Sequence, residues 1–525
     1  MTDTAAAPPD DLPSTVDGVA QMTPGRAKAA IPLLGFLAAI QGVDPNVANT
    51  ALVGATRGLS MSGATVSLAA SISTLALAAS AVTTGLMADR LGRRKVLLAA
   101  LMLGVIGDLV VAASPVAAVF LLGRAVEGIA MGAIYGAAFA YIRYVRAPKD
   151  IPAAMGIFTA VIGVTAVTFT FIGGSLASVG WRVAFLVTPA LCLAAIPMVL
   201  KILPAQPKVR VGEKTDAVGQ LFLAGAVVLL IFGCSRLGKG LFRVDSGGVL
   251  LVGLLLLVGF VVWERKYEHH FFPVEIIKHP GFLAAVCAGL VYNFTNAITF
   301  LQLANLWQYV VRLTTLKVSL WQLPFLFAGI LGALVFGRLM KGGLTNRSVL
   351  LISGLMTSSG FVLLYLARNA DTLVGFLPGA LLAGAGCLVA SLPYGNLIIE
   401  EAPPEYYGPV TSSRTTFGQF FYALGLALGT VMVNGLTSGG TIKRLEAAGV
   451  PPTEIGTAMG SVTAFASKGT QPSTSLGQQA LAAAKPSYVQ AFGTTMLVTA
   501  AVVLAAAVVG WLLLAKKKAA APAAA

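Results

Sequence analysis

Long apolar runs separated by short polar connections repeat along the whole 525-residue sequence. An α-helix needs about 20 apolar residues to cross a bilayer, and fourteen runs bounded by charge, glycine or proline reach that length. They begin near residues 31, 65, 96, 116, 151, 182, 216, 246, 282, 319, 348, 372, 409 and 490. The pattern predicts an all-α polytopic membrane protein with 14 transmembrane spans.

The composition fits this pattern and excludes several other classes of protein. Hydrophobic residues make up 57% of the chain and charged residues only 11%, which is far too apolar for a soluble protein of this size. The surplus of 15 positive charges is spread through short loops, so it forms no continuous basic face for nucleic acid. We therefore expect no nucleic-acid partner.

Motifs for enzyme chemistry are missing from the sequence. It has no phosphate-binding Gly-Lys-Ser loop, no nucleophile triad and no metal-ligand set. The four cysteines stand singly inside apolar runs, without disulfide or zinc spacing, at Cys192, Cys234, Cys287 and Cys387. We expect no enzymatic activity, no cofactor and no bound metal.

The distribution of basic residues indicates an orientation in the membrane. With the amino terminus inside, 23 Lys and Arg residues fall on the cytoplasmic side, 12 fall outside, and Arg124 alone falls within a span. The positive-inside rule favours this arrangement. An even number of spans then places both termini in the cytoplasm, and we expect the cell (plasma) membrane as the location.

The spans group into six, two and six. The predicted segments are a disordered cytoplasmic tail (1–28), a six-helix bundle (29–203), two additional spans (204–270), a second six-helix bundle (271–515) and a basic cytoplasmic tail (516–525). The second bundle includes a long external loop, 437–487, with a weakly helical stretch around 442–448. A mobile loop of no specific role is one interpretation of it.

A dense basic turn, residues 85–95, joins the second and third spans. Its glycines let the backbone reverse, and its aspartate can accept hydrogen bonds from a helix N-terminus or an arginine. The candidate residues for a conformational latch are Gly85, Asp89, Arg90, Gly92, Arg93 and Arg94. A weaker copy at 337–343 has Lys341 in place of the aspartate, so we expect a one-sided latch.

Several motifs occur in the order typical of one transporter family. The turn at 85–95 is similar to the signature loop of the major facilitator superfamily, Arg124–Gly128 resembles its span-four element, and Gly180–Phe185 resembles its entry to span six. Asp44–Leu52 resembles span one of the fourteen-span drug:proton antiporter branch. The resemblance implies a major facilitator fold of two six-helix bundles plus two inserted helices.

One motif departs from the pattern of that branch. Residues 169–174 keep the two final glycines of the span-five antiporter motif but lack its Gly-Pro pair. The direction of coupling therefore stays open.

Ionisable side chains inside spans are costly and mark candidate functional sites. They are Asp44, Asp108, Arg124 and Glu127, which we interpret as proton-coupling residues. Glu127 follows Arg124 by three residues and lies on the same helical face. The alternatives are that Arg124 only neutralises Asp108 or Glu127 as a packing pair and, for Asp44 beside Pro45, a capping or helix-break residue. Asp44 is our first candidate for coupling.

Span nine carries an unusual concentration of polar side chains. Together with Asn49 of span one, the candidate substrate-cavity residues are Tyr292, Asn293, Asn296, Thr299 and Gln302. Hydrogen bonding between helices is the alternative interpretation. Arg414, early in span thirteen, could contact an anionic group or extend to the membrane interface. The pair His269–His270 is predicted to be solvated.

Taken together, these features predict a secondary active transporter that exports apolar or amphipathic small molecules in exchange for protons by alternating access. The alternatives are an importer or facilitator of a metabolite, a transporter of lipid-like molecules, and a transport-inactive membrane sensor or scaffold. The expected partners are a small-molecule substrate, protons and the lipid bilayer. We expect the chain to act as a monomer.

Overall fold

The computed structural model describes residues 15–16, 19–61, 63–206, 216–313, 315–370, 372–468 and 471–520. Much of the predicted amino-terminal tail and the last five residues lie outside these ranges. Two short strands, β1 (Thr15–Val16) and β2 (Val19–Ala20), pair antiparallel. The first helix begins at Pro24, inside the predicted tail, because proline is favoured in the first turn of a helix.

Seven helices form the amino-terminal half of the chain. They are α1 (Pro24–Gly58), α2 (Gly63–Leu91), α3 (Arg93–Ala113), α4 (Ala117–Val145), α5 (Ile151–Val179), α6 (Trp181–Ala184) and α7 (Val187–Ile202). Helices α6 and α7 together make one span, Trp181–Ile202. Two inserted helices follow, α8 (Ala217–Ser235) and α9 (Val249–Lys266).

Seven more helices form the carboxy-terminal half. They are α10 (Pro280–Tyr309), α11 (Thr315–Lys341), α12 (Asn346–Leu366), α13 (Leu377–Glu401), α14 (Tyr407–Ala447), α15 (Pro452–Lys468) and α16 (Ser475–Ala520). Among the described residues, 14 helical segments are long and apolar enough to cross a membrane. This confirms the predicted all-α class and the number of spans.

The two halves touch through α5 against α11 and through α2 against α14. Small residues allow the first contact. A Cβ added to Gly156 would lie 2.7 Å from the Ala333 carbonyl oxygen, and one added to Gly337 would lie 3.0 Å from the Pro152 carbonyl oxygen. We call the end of the bundle that carries the turn at Gly92 the basic end, and the other the opposite end.

The inserted helices lie against the side of the bundle. Helix α8 packs on α2 and α14, and α9 packs on α8. A short 3₁₀ helix, Val274–Lys278, then leads into α10.

The predicted external loop, 437–487, is largely helical. Helix α14 continues to Ala447, α15 fills much of the middle, and α16 begins at Ser475. These three helices enclose a small apolar core in which Leu445, Ala458 and Ala480 are each 0% exposed. A few alanine and leucine contacts therefore order a segment whose sequence indicated only weak helicity.

Candidate functional site

A buried ion pair lies inside α4. Arg124 Nη1 is 2.9 Å from Glu127 Oε2, and the two side chains are 2% and 0% exposed. Ser73 of α2 donates from Oγ to the same Glu127 oxygen at 2.8 Å. The guanidinium carbon of Arg124 lies 5.5 Å from the ring centre of Phe185. Arg124 and Glu127 therefore share one helical face, as their spacing of three predicts, and they form an ion pair; their role in proton coupling stays a prediction.

Asp108 is also fully buried, at 0% exposure, on the adjacent helix α3. Helices α3 and α4 approach closely beside it because residue 107 is glycine. A Cβ on Gly107 would lie 2.7 Å from the Glu127 backbone nitrogen, and one on Gly123 would lie 2.8 Å from the Gly107 carbonyl oxygen. Asp108, Arg124 and Glu127 therefore lie at or beside one tight contact between the two helices.

The side chains of Asp44 and Asn49 are outside the described part of the structure. Their backbone belongs to α1, which runs from Pro24 to Gly58. The helix is continuous through Pro45, so no helix ends at Asp44, and both interpretations of its side chain stay predictions. No contact can be assigned to either side chain.

Asp89 joins the two halves at the basic end. Its Oδ2 accepts a hydrogen bond from the Gly408 N–H, in the first turn of α14, where a helix presents partial positive charge. Its Oδ1 accepts from Arg93 Nη2 at 2.9 Å. Gly85 allows the close approach, since a Cβ there would lie 2.8 Å from the Gly408 carbonyl carbon.

The arginines of the turn extend this contact in two directions. Arg93 lies with its guanidinium carbon 4.7 Å from the ring centre of Tyr407, in the carboxy-terminal half. Arg94 Nη2 donates to the Leu200 carbonyl at 2.7 Å, within the amino-terminal half. Gly92 turns the chain between α2 and α3 at a φ of +95°, which favours glycine. Arg90 is half-buried.

The second turn also connects the halves. Lys341 Nζ lies 2.9 Å from Asp150 Oδ1, and the two side chains are 58% and 29% exposed. The one-sided latch, in which Asp89 outweighs the second turn, therefore stays a prediction. The lysine that replaces aspartate in the second copy finds an acidic partner in the Pro148–Asp150 turn instead of a helix N-terminus.

The polar side chains of α10 divide between neighbouring helices. Asn293 Nδ2 donates to the Gly289 carbonyl at 2.9 Å, and its Oδ1 would lie 3.3 Å from a Cβ on Gly418 of α14. Gln302 Nε2 would lie 3.2 Å from a Cβ on Gly429, also of α14. These two residues face the α14 side of α10.

The other three face different surroundings. Cys387 of α13 donates from Sγ to the Tyr292 carbonyl at 3.2 Å, and its thiol lies beside the Asn296 side chain. Thr299, 1% exposed, lines a cavity of about 10 Å³ together with Trp307 and other apolar side chains. Such a cavity has room for about one water molecule. The five residues therefore do not form one open wall in this conformation.

Arg414 occupies an aromatic cage at the contact between the halves, which sequence analysis did not identify. Its guanidinium carbon lies 5.6 Å from the ring centre of Tyr135, 4.9 Å from that of Phe139 and 4.8 Å from that of Tyr394. The arginine is 6% exposed, so it does not extend to the membrane interface. Cation–π attraction holds the charge where a carboxylate would be expected.

Asp216 and Glu264 form a second buried acidic group, also missed by sequence analysis. They are 2% and 3% exposed, and atoms of both carboxyl groups would lie within 3.0 Å of a Cβ on Gly219. Asp216 Oδ1 accepts from Gly219 N at 2.9 Å and from Trp263 Nε1 at 3.0 Å. The pair links the start of α8 to the end of α9. The sequence contains a signal for this pair: Asp216 lies just before one apolar run, and Glu264 lies at the end of the next.

The histidine pair predicted to be solvated has one contact with the fold. His270 Nε2 lies 2.9 Å from the Tyr406 hydroxyl, and the two rings stack with centres 5.3 Å apart. No group of three potential metal ligands occurs among the described residues.

The described part of the chain has fourteen apolar helical segments in two packed halves, with charged groups buried between and inside them, and this arrangement is that of a multi-pass membrane transporter. Residues 34–426 match the Major Facilitator Superfamily, and the chain belongs to this family. Its members are transporters and not enzymes.

Individual relatives agree with this assignment. The chain is 25% identical over 437 residues to the puromycin resistance protein pur8 of Streptomyces alboniger, covering 81% of this chain and 85% of that protein. It is 27% identical over 285 residues to a triacylglyceride transporter of Mycolicibacterium smegmatis, covering 53% of this chain and 51% of that protein. The chain thus spans about half the length of that second relative.

A solved structure shows the same fold. The crystal structure of the human organic anion transporter MFSD10 (TETRAN) aligns with a TM-score of 0.55 at 15% identity. The alignment covers 92% of this chain and 100% of that one.

Proposed function

We propose that this chain is a proton-coupled exporter of apolar or amphipathic small molecules. It would work by alternating access, with the basic end in the cytoplasm, both termini inside, and the plasma membrane as its location. It would act as a monomer. The carrying observation is the buried charged group of Arg124, Glu127 and Ser73 inside a membrane-spanning helix.

The chemistry of that group suits coupling. A carboxylate out of contact with water is held ionised by a guanidinium and a hydroxyl donor, and loss of either contact favours its protonation. Movement of α4 against α2 would change the contact with Ser73. Protonation of Glu127 would then be tied to the conformational state. Asp108 and Asp44 are proposed as further members of the proton route.

We propose that the contact at Asp89 forms in one transport state and breaks in the other. The contact of Asp89 with Gly408 closes the basic end, and the Lys341–Asp150 pair closes it a second time. With the basic end in the cytoplasm, this is a state closed toward the inside. Release of both contacts would open the site to substrate from the cytoplasm, and substrate and proton would bias the two states in opposite directions.

Export is supported by the similarity to a puromycin resistance protein. A second candidate keeps the fold but transports lipid-like molecules, which is favoured by the similarity to a triacylglyceride transporter. Import of a metabolite is a third possibility, because the altered motif at 169–174 leaves the direction of coupling open.

A flux measurement tests the proposal. Purified protein is reconstituted in vesicles with a pH gradient, and puromycin movement and internal pH are recorded together. We expect puromycin to move against the proton flow, and the Glu127→Gln and Asp44→Asn variants to lose the pH dependence. Glu275→Gln is the matched control, because Glu275 is an exposed acid paired with Lys278 in a connection between spans.

Each result has a defined meaning. Flux of substrate and protons in the same direction would indicate import, and the absence of any substrate-dependent proton flux would contradict proton coupling. Full coupling in Glu127→Gln would remove that residue from the mechanism. A triacylglyceride analogue moved by vesicles that do not move puromycin would favour the lipid candidate.

A further inference from the structure

A cavity of about 510 Å³ lies at the opposite end, where the ends of α12 and α14 face the interior of α16. Three cationic side chains from three chain segments line it: Arg368, Arg444 and Lys485. None of its described lining residues is acidic, and none of the three cations forms an ion pair with a described residue. The cavity is therefore a concentrated positive site.

The position of Arg368 is fixed by its surroundings. Its Nη1 donates to the Tyr365 carbonyl at 2.8 Å, and its guanidinium carbon lies 4.1 Å from the Tyr365 ring centre. Both residues pack on α16 at Gly493, where an added Cβ would lie 3.0 Å from the Tyr365 ring. The remaining guanidinium donors of Arg368 are held beside the cavity before any ligand arrives, which reduces the entropy lost on binding.

The rest of the lining mixes polar and apolar side chains. Asn369, Gln490 and Thr494 add polar groups, while Val489 and Leu497, on either side of Thr494 along α16, give the apolar part of the wall. Leu497 is 37% exposed. Helix α12 ends at Leu366, next to the cavity, so the cavity lies where a span leaves the hydrocarbon and meets the level of lipid headgroups.

We propose that this cavity binds a phosphate-type anion carried on an apolar chain. Guanidinium groups bind phosphate oxygens in paired hydrogen bonds, and lysine adds a mobile charge. The apolar wall would contact the start of the attached chain. The shared chemistry is the phosphate group, whether it belongs to an anionic membrane phospholipid or is free in solution. The inference does not depend on the direction of transport or on proton coupling.

The test uses the full-length protein, purified in detergent. Thermal unfolding is followed with added phosphatidylglycerol, phosphatidylcholine or inorganic phosphate, and native mass spectrometry counts bound lipids. The test variant is the double substitution Arg444→Gln and Lys485→Gln. Lys443→Gln is the matched control, since Lys443 is an exposed cation next to Arg444 that does not line the cavity. All of these residues are exposed, so the variants should fold.

We expect phosphatidylglycerol to raise the unfolding temperature more than phosphatidylcholine does. The double variant should bind it about 25-fold more weakly, at about fivefold for each lost hydrogen bond between a cation and the phosphate, and Lys443→Gln should bind like the wild type. Added salt should weaken binding to the wild type. Binding of inorganic phosphate that the double variant loses would assign the site to a free anion.

Two results would overturn the inference. One is equal binding of phosphatidylglycerol by the double variant and the control, which would place the lipid elsewhere on the protein. The other is equal stabilisation by phosphatidylcholine and phosphatidylglycerol without any effect of inorganic phosphate, which would show that the three cations select no anion. Neither result bears on puromycin flux, so the proposed function is tested separately.

Discussion

Replacing Asp89 by Asn should weaken closure of the basic end. Asp89 accepts from the first turn of α14 through the Gly408 N–H and from Arg93. Asparagine keeps an acceptor oxygen but loses the negative charge at the helix N-terminus and the ion pair. These effects together amount to roughly 1–3 kcal/mol, or about 5- to 150-fold in the ratio of closed to open states.

The distance between the halves at this end reports that ratio. Spin labels on cysteines introduced at Lys149 and Glu405, both exposed and on opposite halves, can be measured by pulsed electron resonance. The native cysteines are buried or half-buried, so labelling should be selective. Wild type should show mainly the short distance, and Asp89→Asn should show a large fraction at the longer one.

Asp150→Asn is the matched control for this measurement. It breaks the exposed pair with Lys341, and exposed ion pairs contribute only about 0–1 kcal/mol. The longer distance should therefore increase less than fivefold in this variant, by the same approximate conversion of energy to population. An unchanged distribution in Asp89→Asn, or a shift in Asp150→Asn as large as in Asp89→Asn, would refute the assignment of the main latch to Asp89.

Three further predictions concern stability, each measured as thermal unfolding of purified protein. Glu127→Gln removes a buried partner of Arg124 and should lower the free energy of unfolding by up to about 3–5 kcal/mol. Adding Arg124→Met should restore much of this stability. A double variant as unstable as the single variant would contradict the argument. Gly107→Ala places a Cβ 2.7 Å from the Glu127 backbone nitrogen and should cost about 1–3 kcal/mol, so an unchanged unfolding temperature would show that α3 can move away. Glu264→Gln leaves one buried carboxyl group instead of two beside Gly219 and should be neutral or stabilising, whereas a clear loss would show that the second carboxyl group is required.

The number of spans and the Arg124–Glu127 pair could be predicted because both depend on short stretches of sequence. Span length follows from bilayer thickness, and a spacing of three fixes two residues on one helical face. The role of Asp89 as an acceptor at a helix N-terminus was also predictable. Its actual partner, Gly408, is 319 residues away and depends on how the halves pack.

Most of the contacts that sequence reasoning missed are of this second kind, and the Asp216–Glu264 group is the exception. The cage around Arg414 combines rings from α4 and α13, and no local pattern places them together. Lys341 looked like a lost latch residue until the fold brought Asp150 beside it. Polar residues on α10 suggested one face by their spacing, but α13 and α14 pack on different sides of that helix.

The glycine contact between α5 and α11 bears on how fast the halves can separate. At Gly156 and Gly337 the two helices meet backbone to backbone. At these two glycines, no side chain has to change rotamer when the helices slide or separate. The side-chain conformational entropy therefore changes little there. We therefore expect the charged contacts at the basic end to set the free-energy barrier to opening. The glycine contact between α5 and α11 should add little to that barrier.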